Sequence, residues 1–199
     1  MPCLECKALK HLDWMVFLLF FYKQYWSIVG RNMIQAVQSF FHSSSMLFEV
    51  NCSFIVLIPK NNASSSVNHY RPISLCNTIY KIIAKILVSR LRPLLPNLIS
   101  PCQSTFIPDR WIVENQLIVQ ELMHSFKRRK VKGRFVAVKV DLQKAYDRVN
   151  WKFLRLVFKK FGFPERFVNW IMQFVSSVPS SVIINGGKTQ WFRPSRGLR

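Results

Sequence analysis

Residues 141–147 (DLQKAYD) combine two carboxylates and an aromatic ring in one short segment. Asp141 stands near the end of residues 134–142, where apolar residues at every second position predict a strand with one buried face. A carboxylate at the exposed end of a buried strand suits Mg²⁺, since the strand fixes its backbone and the ion offsets the desolvation of the charge. Tyr146 follows the strand, where its ring can pack against a sugar. The alternative is that Asp141 only caps the next segment.

Two further segments have strand character. Residues 53–58 (SFIVLI) form a short apolar run that ends at Pro59, which predicts a buried strand. Residues 181–192 contain Gly186-Gly187 between two apolar stretches, which predicts a hairpin. These strands alternate irregularly with helical patterns, so the expected fold class is α+β.

Residues 20–42 mix aromatic and polar residues in a helix-like way, and helical spacing of apolar residues predicts four helices after residue 77. The first follows Thr78 as its cap and is ended or bent by Pro93 and Pro96. The second covers residues 111–126, with Ile118 and Leu122 on its buried side. The third begins after the cap Asn150 and stops at Gly162, and the fourth begins at Pro164.

Several motifs occur in the order seen in one polymerase family. D-x-x-x-A-Y-D at residues 141–147 resembles the first palm motif of reverse transcriptases, and YRPISLCN at 70–77 resembles the fingers motif of LINE-type enzymes. SPCQSTFIPDR at 100–110 resembles the family segment S-P-x-Q-x-A-F-x-x-G-R. Residues 161–164, 182–186 and 193–199 also resemble parts of the family's palm. Taken together, the resemblance covers roughly residues 20–199. The chain thus resembles the reverse-transcriptase domain of plant LINE-type non-LTR retrotransposons.

The resemblance implies the fingers and part of the palm of a truncated right-hand polymerase fold. Residues 1–19 would be a divergent N-terminal segment, 20–133 a fingers-like region and 134–199 the partial palm. The implied partners are an RNA template, a DNA primer and a dNTP, and the implied cofactor is Mg²⁺. Oligomeric state does not follow from the resemblance.

The resemblance also assigns site residues, one motif at a time. Asp141 and the backbone carbonyl of Leu142 would bind the catalytic metals, and Tyr146 would lie under the ribose of the nucleotide. Lys60 and Arg71 would grip its triphosphate. The resemblance also places Gln103 and Arg110 near the template strand.

Two departures from the family segment bear on the template contact. Thr105 replaces a small residue, and Asp109 stands where the family usually has Gly. If that position requires positive φ, Asp109 is tolerated but strained. Its carboxylate would also repel template phosphate.

The charge of the chain points to a polyanionic partner. Lys and Arg number 29 against 9 acidic residues, a formal charge of +20. Nucleic acid is the first expectation and an anionic membrane surface the second. The apolar run at residues 14–22 is too short to span a bilayer, so no stable membrane insertion is expected. Five scattered cysteines, Cys3 and Cys6 among them, predict free thiols and an intracellular location, in the nucleus or the cytoplasm.

The family pattern continues with Gln-Gly-Asp-Pro and an aspartate pair, neither of which occurs in these residues. The family transfers nucleotides with two metal ions, which several carboxylates must clamp together. We therefore expect this chain by itself not to polymerise. The alternatives are a non-catalytic, basic nucleic-acid-binding remnant and an unstable translation product without function.

Overall fold

A computed structural model describes residues 20–61, 65–128 and 136–198. The chain divides into two compact units, one made of Met1–Lys85 with Ala145–Arg199 and the other of Ile86–Lys144. Helices and one sheet occur together, which confirms the α+β class. The unit boundaries do not coincide with the predicted change from fingers to palm at residue 134, and that division stays a prediction.

The larger unit contains a four-stranded sheet with the order β2-β1-β3-β4. Strand β1 pairs antiparallel with β2 and parallel with β3, while β3 and β4 form an antiparallel hairpin. Both predicted features, the strand near residues 53–58 and the later hairpin, are confirmed. The strands are β1 Ser53–Pro59, β2 Tyr70–Cys76, β3 Ser180–Ile184 and β4 Gly187–Lys188.

Two local features of the sequence fit their places in this sheet. Pro72 cannot donate a ladder hydrogen bond, and its strand β2 lies at the edge of the sheet, where a proline is tolerated. Asn185 and Gly186 connect β3 to β4 with φ of 52° and 86°. Two successive positive φ values are the requirement of the tight hairpin turn for which Asn-Gly is the preferred pair.

Helices pack beside this sheet in the larger unit. Asn150 accepts from the backbone N–H groups of Lys152 and Phe153, which confirms it as the cap of the following helix. That helix is followed by Gly162 at φ 77°, as expected for a glycine after a helix. The helices are α1 Trp26–Ser43, α2 Phe48–Asn51, α3 Thr78–Leu91 (which continues into the smaller unit), α6 Trp151–Lys160 and α7 Glu165–Ser176.

The core of the larger unit joins β1 to these helices. On β1, Ile55 and Val56 are buried, and on α7 so are Val168 and Met172. The ring of Tyr80 stacks on Phe174 with the centroids 4.0 Å apart. Further buried apolar residues in this unit are Met33, Phe40 and Ile83.

The helix α3 corrects one predicted cap. The side chain of Asn77, and not that of Thr78, accepts from the backbone N–H of Ile79 at 3.1 Å. Thr78 is already the first helical residue. An Asx side chain just before the helix is equally able to accept this bond, and the sequence offered both residues side by side.

The smaller unit contains α4 Leu95–Leu98 and α5 Ile112–Arg128, with a 3₁₀ turn at Arg92–Leu94. The prolines end α3 and break the chain into short turns, as predicted. The predicted buried side of α5 is wrong, because Ile118 and Leu122 are 55% and 51% exposed. Helical periodicity identifies an apolar face, but burial also requires a neighbour that covers it.

The strand predicted at residues 134–142 is also wrong over the part that the structure describes. Residues 136–142 have no regular secondary structure, and Val136, Val138 and Val140 are each about four-fifths exposed. A strand needs a neighbour to pair with its backbone, and the sheet β2-β1-β3-β4 does not include this segment. An alternating pattern alone therefore did not produce a strand.

Among the described residues, no helix is both long and apolar enough to cross a membrane. The cysteines Cys3 and Cys6 lie outside the described residues, as does most of the apolar run at 14–22. Where the structure describes cysteines, at Cys52, Cys76 and Cys102, they are free.

Candidate functional site

The hairpin of β1 and β2 brings Lys60 and Arg71 together. The pairing sets Ile58 opposite Arg71 and Pro59 opposite Tyr70, and the Lys60 N–H donates to the His69 carbonyl at 2.8 Å. Residues two apart on a strand share a face, as do residues directly opposite. Lys60 is the first residue after β1, so the register places it two residue pairs away from Arg71, and both residues are exposed.

The position of Lys60 is fixed by the chain that follows it. Its Nζ donates to the backbone carbonyl of Asn68 at 2.8 Å, close to the start of β2. This bond takes one of the three ammonium hydrogens, so the others remain available to a bound anion. The hairpin end thus presents a held ammonium group beside an exposed guanidinium.

The base of the hairpin is anchored in the core. The hydroxyl of Tyr80 donates to the Phe174 carbonyl at 3.3 Å, and burial raises the pKa of this phenol, so it stays neutral at ordinary pH. Burial also raises the pKa of the Cys76 thiol at the end of β2.

The segment around Tyr146 is held by the residues near the end of the described chain. Leu198 donates its N–H to the Tyr146 carbonyl, and Gly197 donates its N–H to the Val149 carbonyl, both at 2.9 Å. The indole Nε1 of Trp151 donates to the Gly197 carbonyl at 2.7 Å. The 3₁₀ turn at Tyr146–Arg148 is thereby fixed, while the ring of Tyr146 is 62% exposed.

Gly197 cannot be replaced without cost in this arrangement. Its φ is 93°, in the region that favours glycine, and a Cβ there would lie 3.0 Å from the carbonyl oxygen of Asp147. The close approach of the two backbones is what permits the hydrogen bonds to Tyr146 and Val149.

Asp141 lies in the smaller unit, in the exposed segment at 136–142, and Leu142 beside it is 75% exposed. Within the described ranges no three His, Cys, Asp or Glu side chains form a group able to hold a metal ion. One exposed carboxylate and one carbonyl are too few for the six or more oxygen ligands that a hard divalent cation takes. The described residues therefore do not by themselves fit a magnesium centre.

Arg110 lies inside its own loop. Its Nη1 donates to the carbonyls of Ser100 and Gln103 at 2.6 and 2.7 Å, and its Nη2 donates to those of Pro96 and Ile99 at 3.0 Å. The side chain of Gln103 donates to the Thr105 carbonyl at 3.3 Å. The guanidinium thus organises the loop, a role that the sequence motif did not indicate.

The expected strain at Asp109 is present, since its φ is 61°. A glycine at this position would adopt that conformation freely, whereas a side chain does so at a cost.

Comparison with known proteins decides the family. Residues 58–199, well over half of the chain, match the family model described as reverse transcriptase (RNA-dependent DNA polymerase). The chain belongs to the reverse transcriptase family. Members of this family generally use divalent metal ions for catalysis.

The curated relatives of this reverse-transcriptase chain are proteins of non-LTR retrotransposons. A transposon TX1 uncharacterized 149 kDa protein from Xenopus laevis is 28% identical over 90% of the chain. Retrovirus-related Pol polyproteins of R2 elements from Nasonia vitripennis and Drosophila melanogaster are each 26% identical over 72% of it. The chain spans only 14%, 14% and 13% of these relatives. The predicted family is confirmed, while a plant origin is not shown.

Sequence reasoning missed Trp151 and Gly197 as residues that organise the reverse-transcriptase motif at Tyr146. Gly197 falls in the segment RPSRGLR, which was singled out only for its resemblance to the family. An isolated glycine in a polar segment signals close backbone approach, but not which backbone approaches. That partner is visible only in the fold.

We expect Gly197→Ala to destabilise the larger unit more than Gly162→Ala does. Both glycines have positive φ, but a Cβ at Gly162 meets nothing within 4 Å. Gly162→Ala should cost about 1 kcal/mol of unfolding free energy for its backbone conformation. The clash with Asp147 should bring the cost at Gly197 to about 2 kcal/mol or more.

Urea unfolding followed by tryptophan fluorescence measures both variants, and hydrogen exchange at the backbone N–H groups of residue 197 and Leu198, which donate to Val149 and Tyr146, locates the effect. Faster exchange there in Gly197→Ala only is the expected result. Equal losses of stability in the two variants would contradict the close approach of Gly197 to Asp147.

Proposed function

We propose that this chain forms the fingers and the first part of the palm of an RNA-directed DNA polymerase with a right-hand fold. In this proposal residues 20–133 belong to the fingers and 134–199 to the palm. The register of the β1–β2 hairpin, which sets Ile58 opposite Arg71 and ends one residue before Lys60, is the observation that carries it. The proposed ligand of Lys60 and Arg71 is the triphosphate of an incoming dNTP.

The chemistry of the pair suits a triphosphate. Arginine offers planar, paired donors that match two phosphate oxygens, while lysine adds a compact charge. Two cations side by side repel each other in the absence of an anion, and both are exposed here. A polyphosphate bridging them relieves this repulsion, so the pair favours multiply charged anions over single phosphates.

Three other residues take their proposed roles from the family motif. Asp141 and the Leu142 carbonyl would serve as ligands to Mg²⁺ once further carboxylates complete the centre. Tyr146 would lie against the sugar of the nucleotide, and its exposed ring leaves room for this contact. The backbone hydrogen bonds from Leu198 to Tyr146 and from Gly197 to Val149 would hold the backbone that carries this ring.

We propose that the loop at 100–110 lies on the template side. Arg110 then acts through the loop, which its four carbonyl contacts hold in shape. Gln103 would contact the RNA template directly. The template, a DNA primer and a dNTP are the proposed partners, in the nucleus or the cytoplasm.

These 199 residues should bind a nucleotide without incorporating it. Two divalent cations close together repel each other strongly unless several carboxylates surround them. The chain has 9 acidic residues, and Asp141 is its one residue that matches a catalytic aspartate of the family motif. Asp147 is nearby in sequence but is not a direct ligand in the family.

We expect dNTP binding to depend on Arg71 and Lys60. Arg71→Ala and Lys60→Ala should each weaken binding of a fluorescent dNTP about tenfold, because each removes a charge-assisted hydrogen bond. Lys160→Ala, which removes an equally exposed charge from the end of α6, is the matched control. Equal weakening by all three variants would reduce the effect to net charge and contradict a specific site.

Primer extension on poly(rA)/oligo(dT) tests the expected lack of polymerisation. With Mg²⁺ or Mn²⁺, the chain should incorporate no more than an Asp141→Ala variant, since the metal centre lacks ligands in both. Incorporation above that control would show a complete centre and overturn this part of the proposal.

A second candidate function is nucleic-acid binding without chemistry, and the charge of +20 favours it. Such binding goes mainly to phosphates and weakens steeply as salt increases. It differs from the first proposal in needing neither Arg71 nor Lys60 in particular. RNA affinity that is lost with salt, together with dNTP binding that ignores Arg71→Ala, would favour this candidate.

A further inference from the structure

The loop between α4 and α5 is built to hold a fixed shape. The Arg110 guanidinium donates to three of its backbone carbonyls and to that of Pro96 on α4, and the side-chain amide of Asn115 on α5 donates to Ser104 Oγ at 2.7 Å. Ser104 is only 5% exposed. These bonds fix both ends of the short stretch from Thr105 to Asp109.

Phe106 lies within that stretch in an unusual state. Its φ is 64°, a conformation that a bulky residue rarely adopts, and the residue is 81% exposed. Backbone strain is retained where the surroundings over-determine it, and exposure of a large ring gains nothing from burial. The fold therefore holds an aromatic ring towards solvent at a cost to its own stability.

The surroundings of the ring are suited to nucleic acid. Phe106 borders an open groove of about 430 Å³ within the smaller unit, and Arg92 lines the same groove. The remaining lining is apolar, from Val88, Leu91, Leu95 and Ile107. An exposed aromatic ring and a cation that line the same groove match a base joined to a phosphate.

We propose that Phe106 stacks on a base of single-stranded nucleic acid, with Arg92 contacting an adjacent phosphate. This inference rests on the proposed function and adds a contact residue to its template side. It also separates two roles within the loop, since Arg110 holds the backbone while Phe106 touches the ligand. Because every base has a stacking face, the contact carries no sequence preference.

Replacement of Phe106 by glycine separates binding from folding. Phe106→Gly removes the ring and relieves the positive φ, so the thermal stability of the chain should stay equal or rise. Affinity for a short oligo(U) RNA should fall roughly five- to hundredfold, the effect of losing one stacked base. A ring that mainly packs into the groove would instead make Phe106→Gly less stable.

Phe106→Leu is the second variant, because it keeps an apolar side chain and the strained φ but removes the ring. It should lose affinity like Phe106→Gly while keeping the stability of the parent chain. Phe153→Leu, at a ring on α6 that is 64% exposed, is the matched control and should leave binding unchanged.

Binding is measured at fixed salt by fluorescence anisotropy, with oligo(U) and an abasic oligomer of the same length as probes. Both Phe106 variants should weaken binding of oligo(U) only, since the abasic oligomer offers no base to stack. An equal loss on both probes, or no loss on either, would overturn the stacking role. If the parent chain binds oligo(U) and Phe106→Gly binds it equally well, the stacking role is contradicted but the proposed function stands. If the parent chain does not bind oligo(U) at all, both the stacking role and the proposed function are contradicted.

Discussion

The pairing of β1 with two partners is the constraint on which the described architecture of the larger unit depends. On one side β1 holds β2 antiparallel, which sets the register that brings Arg71 beside Lys60. On the other side it pairs in parallel with β3, far along the chain, from Ser53 opposite Ser180 to Val56 opposite Ile183. A slip of one residue in either ladder would turn every side chain of the shifted strand to the other face. The positions of Lys60 and Arg71 and the burial of the core residues on β1 therefore depend on the same strand pairing.

Backbone contacts, more than side-chain clusters, organise the family motifs in this chain. Leu198 and Gly197 donate to the carbonyls of Tyr146 and Val149, and Arg110 donates to three carbonyls of its loop and one of α4. Each contact requires one residue type: a glycine at the position where two backbones meet, and an arginine at the position where several carbonyls converge. Functional side chains then project from a framework whose shape does not depend on them, as the exposed Tyr146 illustrates.

Sequence reasoning succeeded where the determinants are local. The cap at Asn150, the break at the prolines after α3, the stop before Gly162 and the hairpin near Gly186 all depend on residues within a few positions of one another. The family motifs assigned Lys60 and Arg71 to one ligand, and that assignment stays a prediction; the register of β1 and β2, which sets Ile58 opposite Arg71, comes from the fold. The positive φ at Asp109 followed from the family glycine at that position.

The failures share a dependence on distant partners. Residues 136–142 have a strand pattern but no place in the sheet, and Ile118 and Leu122 have a helical apolar face that is left exposed. Neither pattern contains information about what covers it. The loop contacts of Arg110 and the strained, exposed Phe106 were likewise invisible, because they arise from carbonyl positions that only the folded loop defines.

Hydrogen exchange with and without a dNTP tests the central claim, that the β1–β2 hairpin end is a nucleotide grip. The account predicts that a dNTP slows exchange in the peptides around Lys60 and Arg71 and leaves the β3–β4 turn at Asn185 and Gly186 unchanged. In Arg71→Ala this protection should disappear. Protection that lies elsewhere, or that persists without Arg71, would contradict the account.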